Sequence, residues 1–271
     1  MKYNLALYCK TYRNDFTRFE ELWKTINMHN KDNLPFFISA PAGDKKLLEK
    51  RIGTEGYTFI PDEDIYVPTN YMEGWVTQMF IKIQAWEHIP ANNILVLDSD
   101  TFFIRDFYEK DFIAYDDVPY TIIHENLHIA ELEAALLDKD YRESGYAKAV
   151  KAYRDLFGGK SNRIYDYGPN PHLWSRKVLQ HLKTNYLDYY GYTMEEFGIA
   201  VNHQYKIHFR ETLTYGEYLL AARPIDIIPC GPLFKCYHWK EQYDFELRNG
   251  LVDMEKHKLN YLGVVLQSNW V

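Results

Sequence analysis

The chain has 271 residues, of which 46% are apolar and 25% are charged, a composition typical of a folded globular protein with a large core. A net charge of −7 and the lack of a long Lys/Arg block exclude a general attraction to nucleic acid. Cys9, Cys230 and Cys236 form no CxxC pair, and such sparse thiols favour a reducing compartment, the cytoplasm. No segment reaches 18 apolar residues and the N-terminus lacks a signal-peptide core, so we expect neither secretion nor a transmembrane span.

The first half of the sequence alternates predicted strands and helices. Short apolar runs predict strands at 4–9, 35–39, 57–60 and 94–97, and helical spacing or charge predicts helices at 16–26, 44–51 and about 74–88. This alternation predicts a three-layer α/β/α sandwich with a mixed, mostly parallel central sheet. Ligands of such sheets bind at the carboxyl ends of the strands.

The second half is more irregular. Apolar runs predict strands at 118–123, 173–175, 225–228 and 233–237, and periodicity predicts helices at 146–156 and 214–222. Thr193 and Glu196 have the spacing of a capping box and predict the start of another helix. Because no Pro/Gly-rich linker separates the halves, we expect one domain over residues 1–271.

Two aspartates, Asp98 and Asp100, follow the predicted buried strand at 94–97. Two anions held this close repel each other and resist desolvation, so such a pair usually requires a cation, and carboxylate oxygens favour magnesium, manganese or calcium. Alternatively, one aspartate caps the next turn and the other is solvated. A divalent ion at this place could bridge the phosphates of a nucleotide-sugar donor and stabilise charge as the glycosidic bond breaks.

A second motif, His124-Glu125-Asn126-Leu127-His128, matches the HExxH pattern of zinc peptidases. In those enzymes the motif lies inside a helix, whereas residues 119–123 are β-branched and indicate a strand that continues up to the first histidine. This context favours a chance match. A zinc-dependent hydrolase that uses His124, Glu125 and His128 remains the alternative function.

The tripeptide Asp98-Ser99-Asp100 resembles the DXD motif of GT-A-fold glycosyltransferases. The whole chain resembles a family of small, mostly uncharacterised bacterial glycosyltransferases, in segments 10–13, 97–100, 167–171, 213–218 and 234–238. The resemblance implies a GT-A-like nucleotide-diphospho-sugar transferase. It would use manganese or magnesium to move a sugar from a nucleotide-sugar donor to a glycan or lipid-linked acceptor in bacterial surface polysaccharide synthesis.

The resemblance also implies roles for particular residues. The metal ligands would be Asp98, Asp100 and His238, and the catalytic residues would be Asp100 and the candidate base Glu217. The donor would be bound by Thr11, Tyr12, Arg13, Gln78, Lys82, Asp98 and Ser99, with Tyr12 as a base-stacking ring and Lys82 as the cation for the phosphates or sugar. Gly168 and Pro169 would shape the acceptor side.

Each of these roles has a plainer alternative. His238 could be a satisfied histidine at a strand end, and Lys82 could be a solvated helix residue. Glu217 follows Gly216 at a predicted helix start, so it could be a carboxylate that interacts with the helix dipole. Inverting relatives frequently have Glu-Asp where this chain has Gly216-Glu217, which leaves inversion or retention open.

The resemblance divides the domain into a nucleotide-binding half, about 1–105, and an acceptor-binding half, about 106–271. We expect a cytoplasmic protein with possible peripheral contact at the inner face of the membrane. A catalytically inactive GT-A-like protein that binds nucleotide or glycan is a further alternative. The polar and aromatic segment Gln267-Ser268-Asn269-Trp270 has no predicted role.

Overall fold

A computed structural model describes residues 1–70, 73–168 and 171–267. Its strands are β1 (Tyr3–Lys10), β2 (Phe36–Ala40), β3 (Thr58–Pro61), β4 (Ala91–Leu97), β5 (Thr101–Phe103), β6 (Ile113–Tyr115), β7 (Val118–Pro119), β8 (Thr121–Ile122), β9 (His172–Ser175), β10 (Pro229–Cys230), β11 (Phe234–Tyr237) and β12 (Gly263–Leu266). Its α-helices are α1 (Phe16–His29), α2 (Lys45–Ile52), α3 (Asp62–Ile65), α4 (Gly74–Gln84), α5 (Leu127–Leu137), α6 (Gly145–Leu156), α7 (Arg176–Leu182), α8 (Asp188–Tyr190), α9 (Met194–Tyr205), α10 (Glu211–Ala222), α11 (Lys240–Arg248) and α12 (Met254–His257). Among these helices, none has the length and apolar character needed to cross a membrane.

The central sheet has the strand order β3-β2-β1-β4-β9. The first four strands are parallel, and β9 runs antiparallel to β4. The chain builds outward from β1 to β3 and then returns to the other side of β1 with β4. This mixed, mostly parallel sheet confirms the fold class predicted from the sequence.

Alternate residues of the central strands pack into two separate cores, as expected for a sheet that is buried on both faces. Leu95 and Leu97 of β4 pack with α1 and α2, whereas Ile94 and Val96 pack with α4, α6, α7 and α10. The long apolar run of β4 is therefore explained by helices on both faces. The result is the predicted three-layer α/β/α arrangement.

A second sheet, β11-β12-β5, returns a late part of the chain to the end of β4. Strand β12 runs antiparallel to β5 and parallel to β11. The N–H of Leu266 donates to the carbonyl of Asp100 at 3.1 Å, and the N–H of Gln267 donates to the carbonyl of Tyr237 at 3.3 Å. Strand β12 thus connects the aspartate turn to the end of β11.

Most predicted elements are confirmed within one to three residues, including the capping box of Thr193 and Glu196 at the start of α9. The strand predicted at 118–123 is instead two short strands, β7 and β8, which Tyr120 separates. The strand predicted at 225–228 is wrong. Ile225 and Ile227 pack against the core at alternate positions, but their backbone forms no ladder, and strand pairing begins only at Pro229.

Two helices differ from the sequence-based expectation. Helix α5 was not predicted, although Leu127–Leu137 is rich in alanine, leucine and glutamate. Helix α10 begins at Glu211 and not at residue 214. The position predicted for Glu217, near the start of this helix, is therefore wrong, because Glu217 lies in the middle of α10.

Candidate active site

A cleft of 660 Å³ opens at the carboxyl-terminal edge of the central sheet, where β1 and β4 end side by side. Because the chain crosses from one side of β1 to the other, this edge is the switch point at which sheets of this kind bind ligands. The lining residues come mainly from the segment after β1, from α4 and from the turn after β4. They include Lys10, Tyr12, Asp62, Gln78, Lys82, Asp98, Ser99, Asp100 and Gln267.

The turn after β4 presents both aspartates to the cleft. The N–H of Thr101 donates to the carbonyl of Asp98 at 3.1 Å and closes the turn. Ser99 is buried, and its hydroxyl donates to the hydroxyl of Thr11 at 2.9 Å. Asp98 and Asp100 are half-buried and line the cleft. Thr11 and Ser99 thus join the two strand ends, and their predicted contacts with a donor stay predictions.

Three buried or half-buried charged groups, Lys82, Asp98 and Glu211, form what we call the cleft cluster. The ammonium of Lys82, only 5% exposed, donates to Asp98 Oδ1 and lies 3.9 Å from Glu211 Oε1. Burial alone would lower the pKa of Lys82, but the two carboxylates outweigh it and raise that pKa above its ordinary value. Burial raises the pKa of Glu211, and Lys82 opposes this shift. Lys82 is not a solvated helix residue, so that alternative is wrong.

A buried histidine lies against the cleft cluster. His172 begins β9, and its ring stacks on Trp174 with 5.6 Å between the ring centroids. Burial lowers the pKa of His172 to about 4, although the carboxylate of Asp98 acts in the opposite direction. The imidazole is therefore neutral at physiological pH.

The residues after β1 divide between the cleft and a neighbouring surface. Tyr12 is 40% exposed and lines the cleft beside Lys10, whose ammonium pairs with Asp62 at 2.9 Å. Arg13 does not line the cleft, and its Nε donates to Asp44 Oδ1 at 2.7 Å. Of the two, Tyr12 alone lines the cleft. The predicted roles of both residues stay predictions.

His238 follows β11 and lines a second cavity of 290 Å³. Burial lowers the pKa of His238, and the carboxylate of Asp166 opposes this shift. In the described part of the chain, no three His, Cys, Asp or Glu side chains are grouped closely enough to hold a metal ion. The predicted set of Asp98, Asp100 and His238 is thus not a preassembled three-ligand site, and its metal-binding role stays a prediction.

The HExxH residues also line the second cavity, but they do not share one helical face. His124 and Glu125 precede α5, which begins at Leu127, whereas His128 lies inside it. Glu125 pairs with Arg163 at 2.8 Å, and the exposed His128 lies 3.5 Å from a carboxylate oxygen of Glu246. The motif therefore lacks the helical geometry of a zinc peptidase.

Glu217 lies away from the cleft in a fully paired cluster, which we call the core pair cluster. Its Oε1 accepts hydrogen bonds from Arg154 Nη2 at 2.7 Å and from the hydroxyl of Tyr167 at 2.6 Å, and its Oε2 accepts one from Arg154 Nε at 3.0 Å. Arg154 Nη1 donates to the carbonyls of Ser161 and Arg163. Glu217 is 2% exposed. Both of its oxygens are thus occupied within the protein.

The remaining residues of interest lie in α10, at Gly168 and near the C-terminal end of the described residues. Glu211 was not predicted, and the only signal was an acidic residue shortly before the helix predicted at 214. Gly168 has φ of +92°, which favours glycine, and its N–H donates to Asp166 Oδ1 at 3.0 Å. Pro169 and residues 268–270 lie outside the described residues, whereas Gln267 lines the cleft.

Comparisons with known proteins agree with this architecture. The model of DUF6492, a family of unknown function, matches residues 4–247. No curated protein matches the sequence. The galactosyltransferase LgtC, solved with donor and acceptor sugar analogues, is 12% identical with a TM-score of 0.51, over 96% of this chain and 86% of that chain.

A second solved structure is similar over nearly its whole length. Mouse xyloside xylosyltransferase 1, in its apo form, is 8% identical with a TM-score of 0.52, over 98% of this chain and 99% of that chain. At such identities the likeness shows the fold and nothing further. It confirms the predicted GT-A-like fold.

Proposed function

The chain belongs to the DUF6492 family, a family of unknown function, and we propose that it is a metal-dependent glycosyltransferase that uses a nucleotide-sugar donor. The main support is the position of Asp98 and Asp100, because both line a cleft at the switch point of a GT-A-like sheet. The cleft also contains an aromatic ring, Tyr12, and polar groups from α4. A nucleoside, a diphosphate and a sugar need these kinds of groups.

The two aspartates fit a manganese or magnesium ion. Magnesium is commonly held by one or two carboxylates, while substrate phosphates and water fill its other positions. Two carboxylates in a cleft, without a third grouped ligand in the described part of the chain, match that pattern. When bound, the ion would neutralise the diphosphate leaving group as the glycosidic bond breaks. Asp100 and Asp98 would be the protein ligands.

His238 remains a candidate for a third ligand. Asp100 bonds to Leu266 of β12, and Gln267 bonds to Tyr237, the residue before His238. Only β12 therefore lies between Asp100 and His238 in the second sheet. We propose that His238 would complete the protein ligands of the ion.

The donor would lie between the segment after β1 and helix α4. Tyr12 would stack on the nucleobase, and Gln78 and Lys82 would face the phosphates or the sugar from one side of α4. Thr11 and Ser99 would keep the aspartate turn in place through their hydroxyl contact. Arg13 would reach the nucleoside only by leaving Asp44, to which it is bonded.

The second cavity would receive the acceptor. It lies at the end of β11, and its lining contains amide, imidazole and ammonium groups that can bond hydroxyls. Its lining includes Gln242, which is fully buried and bonds to Glu246 at 3.0 Å. A glycan or the head of a lipid-linked glycan would suit such a lining. Gly168 would help to shape the same side, and the same role for Pro169, outside the described residues, stays a prediction.

We propose a structural role for Glu217, because Arg154 and Tyr167 occupy both of its oxygens and it does not line the cleft. A catalytic base for the reaction would then come from another residue. We further propose one domain over 1–271, with donor and acceptor halves that meet near residue 105. The pairing of β9 with β4 supports one domain, because it joins the two halves in one sheet.

The resemblance to bacterial glycosyltransferases extends the proposal to surface polysaccharide synthesis. The protein would act in the cytoplasm, with peripheral contact at the inner face of the membrane. The described helices supply no membrane span.

Thermal unfolding with UDP, GDP, ADP, CDP or CMP, each with and without manganese, tests the donor site. A ligand present at 100 times its Kd stabilises the folded state by about 2.7 kcal/mol. We expect a manganese-dependent rise of the midpoint with one base, lost in Asp100→Asn and kept in the control Asp188→Asn, which alters an exposed residue of α8. The absence of a shift with every nucleotide would overturn the proposal.

Release of nucleoside diphosphate from the matching nucleotide sugars tests turnover. We expect slow release in water, faster release with a glycan acceptor, and loss of both in Asp100→Asn. Binding without release from any donor would support the catalytically inactive protein instead.

A further inference from the structure

Lys82 has two carboxylates within reach but only one charge to share between them. Its ammonium bonds to Asp98 and lies 3.9 Å from Glu211. Lys82 and Glu211 are almost completely buried, while the Asp98 side chain is 29% exposed. With both carboxylates ionised, the cleft cluster carries one excess negative charge, and its most accessible member is the aspartate.

Glu211 is held firmly beside Lys82 by the surrounding structure. It lies in the first turn of α10, where the helix dipole favours a negative charge. Phe209, two residues earlier, stacks on Phe80 of α4 with 4.3 Å between the ring centroids. Since Phe80 and Lys82 belong to the same helix, this stack fixes the start of α10 against the turn that carries Lys82.

We propose that Glu211 is a positioning residue. It becomes the ion-pair partner of Lys82 when Asp98 binds the divalent ion. The inference rests on the proposed function. The ion and the ammonium compete for Asp98, because both are cations that need its carboxylate. A short movement of the flexible Lys82 side chain gives Glu211 a full ion pair and releases Asp98. The positive charge of the ion then balances the excess negative charge of the cleft cluster, and each buried charged group has a partner of opposite charge.

This arrangement explains why the buried carboxylate of Glu211 lies 3.9 Å from the Lys82 ammonium, a distance longer than a hydrogen bond. With Glu211 present, Lys82 has a second partner, so loss of its bond to Asp98 costs little. Without Glu211, release of Asp98 would leave an unpaired ammonium in the interior, which is strongly unfavourable. Glu211 therefore lowers the cost of binding the ion without contacting it.

Manganese affinity tests the proposal directly. Free manganese is measured from the spin-resonance signal of the aqueous ion, alone and with UDP, GDP, ADP or CDP. We expect Glu211→Gln to weaken manganese binding about tenfold or more. In Lys82→Met no ammonium competes for Asp98, so adding Glu211→Gln to it should change the affinity less than about threefold.

Turnover at different manganese concentrations separates a positioning role from a catalytic one. Excess manganese should restore the turnover of Glu211→Gln to within a few-fold of the unmodified chain. If Glu211 were a catalytic base or a purely structural residue, added manganese would not restore turnover. Thermal unfolding checks that each variant is folded, and Glu211→Asp, which keeps the charge but shortens the side chain, replaces Glu211→Gln if the latter fails to fold.

The outcomes distinguish this proposal from the proposed function. Unchanged manganese affinity in Glu211→Gln would overturn the role of Glu211 alone. An equal loss in the presence and absence of Lys82 would also overturn it, because Glu211 would then act on the ion without Lys82. No manganese binding by the unmodified chain with any nucleotide would overturn both proposals.

Discussion

The cleft cluster and the core pair cluster contain the same kinds of groups but differ in how completely these are paired. In the core pair cluster, every oxygen of Glu217 has a donor, and Arg154 also bonds two carbonyls. In the cleft cluster, Lys82 is shared unequally between two carboxylates beside a 660 Å³ opening. Complete pairing suits a structural role, whereas unequal pairing leaves a carboxylate that can exchange partners.

The largest expected effect is on activity at the cleft cluster. Asp98→Asn should lower turnover about thousandfold, because the ion's contribution is several kcal/mol and about 4 kcal/mol corresponds to that factor. The fold should persist, since Lys82 still has Glu211 nearby. Turnover and the thermal midpoint measure the two effects. Unreduced turnover would contradict the metal-binding role of Asp98.

Glu217→Gln should show the opposite behaviour. It leaves the Arg154 guanidinium without its anion in the core, so the free energy of unfolding should fall by about 3–5 kcal/mol. Turnover per folded molecule should change less than about threefold, as measured in parallel with chemical denaturation. The double variant Arg154→Met/Glu217→Leu should recover part of the lost stability. A large loss of turnover at unchanged stability would instead identify Glu217 as the base.

The free energy of unfolding should depend on pH through His172, the buried histidine beside the cleft cluster. The pKa of His172 is about 4 when folded, below the value of about 6.5 for an unfolded histidine. As the pH falls from 6.5 to 4, the unfolded chain takes up a proton before the folded one, so stability is lost over this window by up to about 3 kcal/mol. Above pH 6.5 this contribution is constant.

Replacement of the histidine tests that dependence. The fall in unfolding free energy between pH 6.5 and 4 should be smaller in His172→Gln than in the unmodified chain. The control His203→Gln, at an exposed position of α9, should keep the original slope. Equal slopes in His172→Gln and the unmodified chain would contradict the buried neutral imidazole.

The smallest expected effect concerns the packing of the core pair cluster. A Cβ at Gly216 would lie 2.3 Å from the Tyr167 ring, so Gly216→Ala should displace the tyrosine that bonds Glu217 and cost about 1–3 kcal/mol. Gly145→Ala is a matched helical control, because nothing lies within 4 Å of its Cβ. Chemical denaturation measures both. Equal stability of the two variants would show that Tyr167 can move freely.

Local patterns in the sequence predicted the cleft better than they predicted its surroundings. The apolar run of β4 and the two aspartates after it were recognisable, because a buried strand and the turn that follows it are encoded by neighbouring residues. Each of these inferences needs only a short segment of chain. The resemblance, and not a local pattern, implied Gln78 and Lys82; both line the cleft from α4, and their roles in donor binding stay predictions.

Glu211 and Glu217 depend on contacts between distant segments, and here the sequence was misleading. Gly216 suggested a helix start, but it is a glycine because the Tyr167 ring occupies the space of a side chain. Glu211 is next to Lys82 because Phe209 stacks on Phe80. No local pattern reports either contact, so the start of α10 and the pairing of both glutamates could not be predicted.

The return of β12 to the aspartate turn has a consequence for how the protein is made. The β1–β4 part of the central sheet can form early in synthesis, but Asp100 gains its backbone partner, Leu266, only when β12 leaves the ribosome. At about 5–20 residues per second, the interval is on the order of ten seconds or more. During that time the nascent chain has both aspartates but lacks Gln267 and the second sheet, so the cleft beside the aspartates is incomplete. If the proposed function holds, a growing chain would thereby be kept from acting on a sugar donor before the second sheet exists.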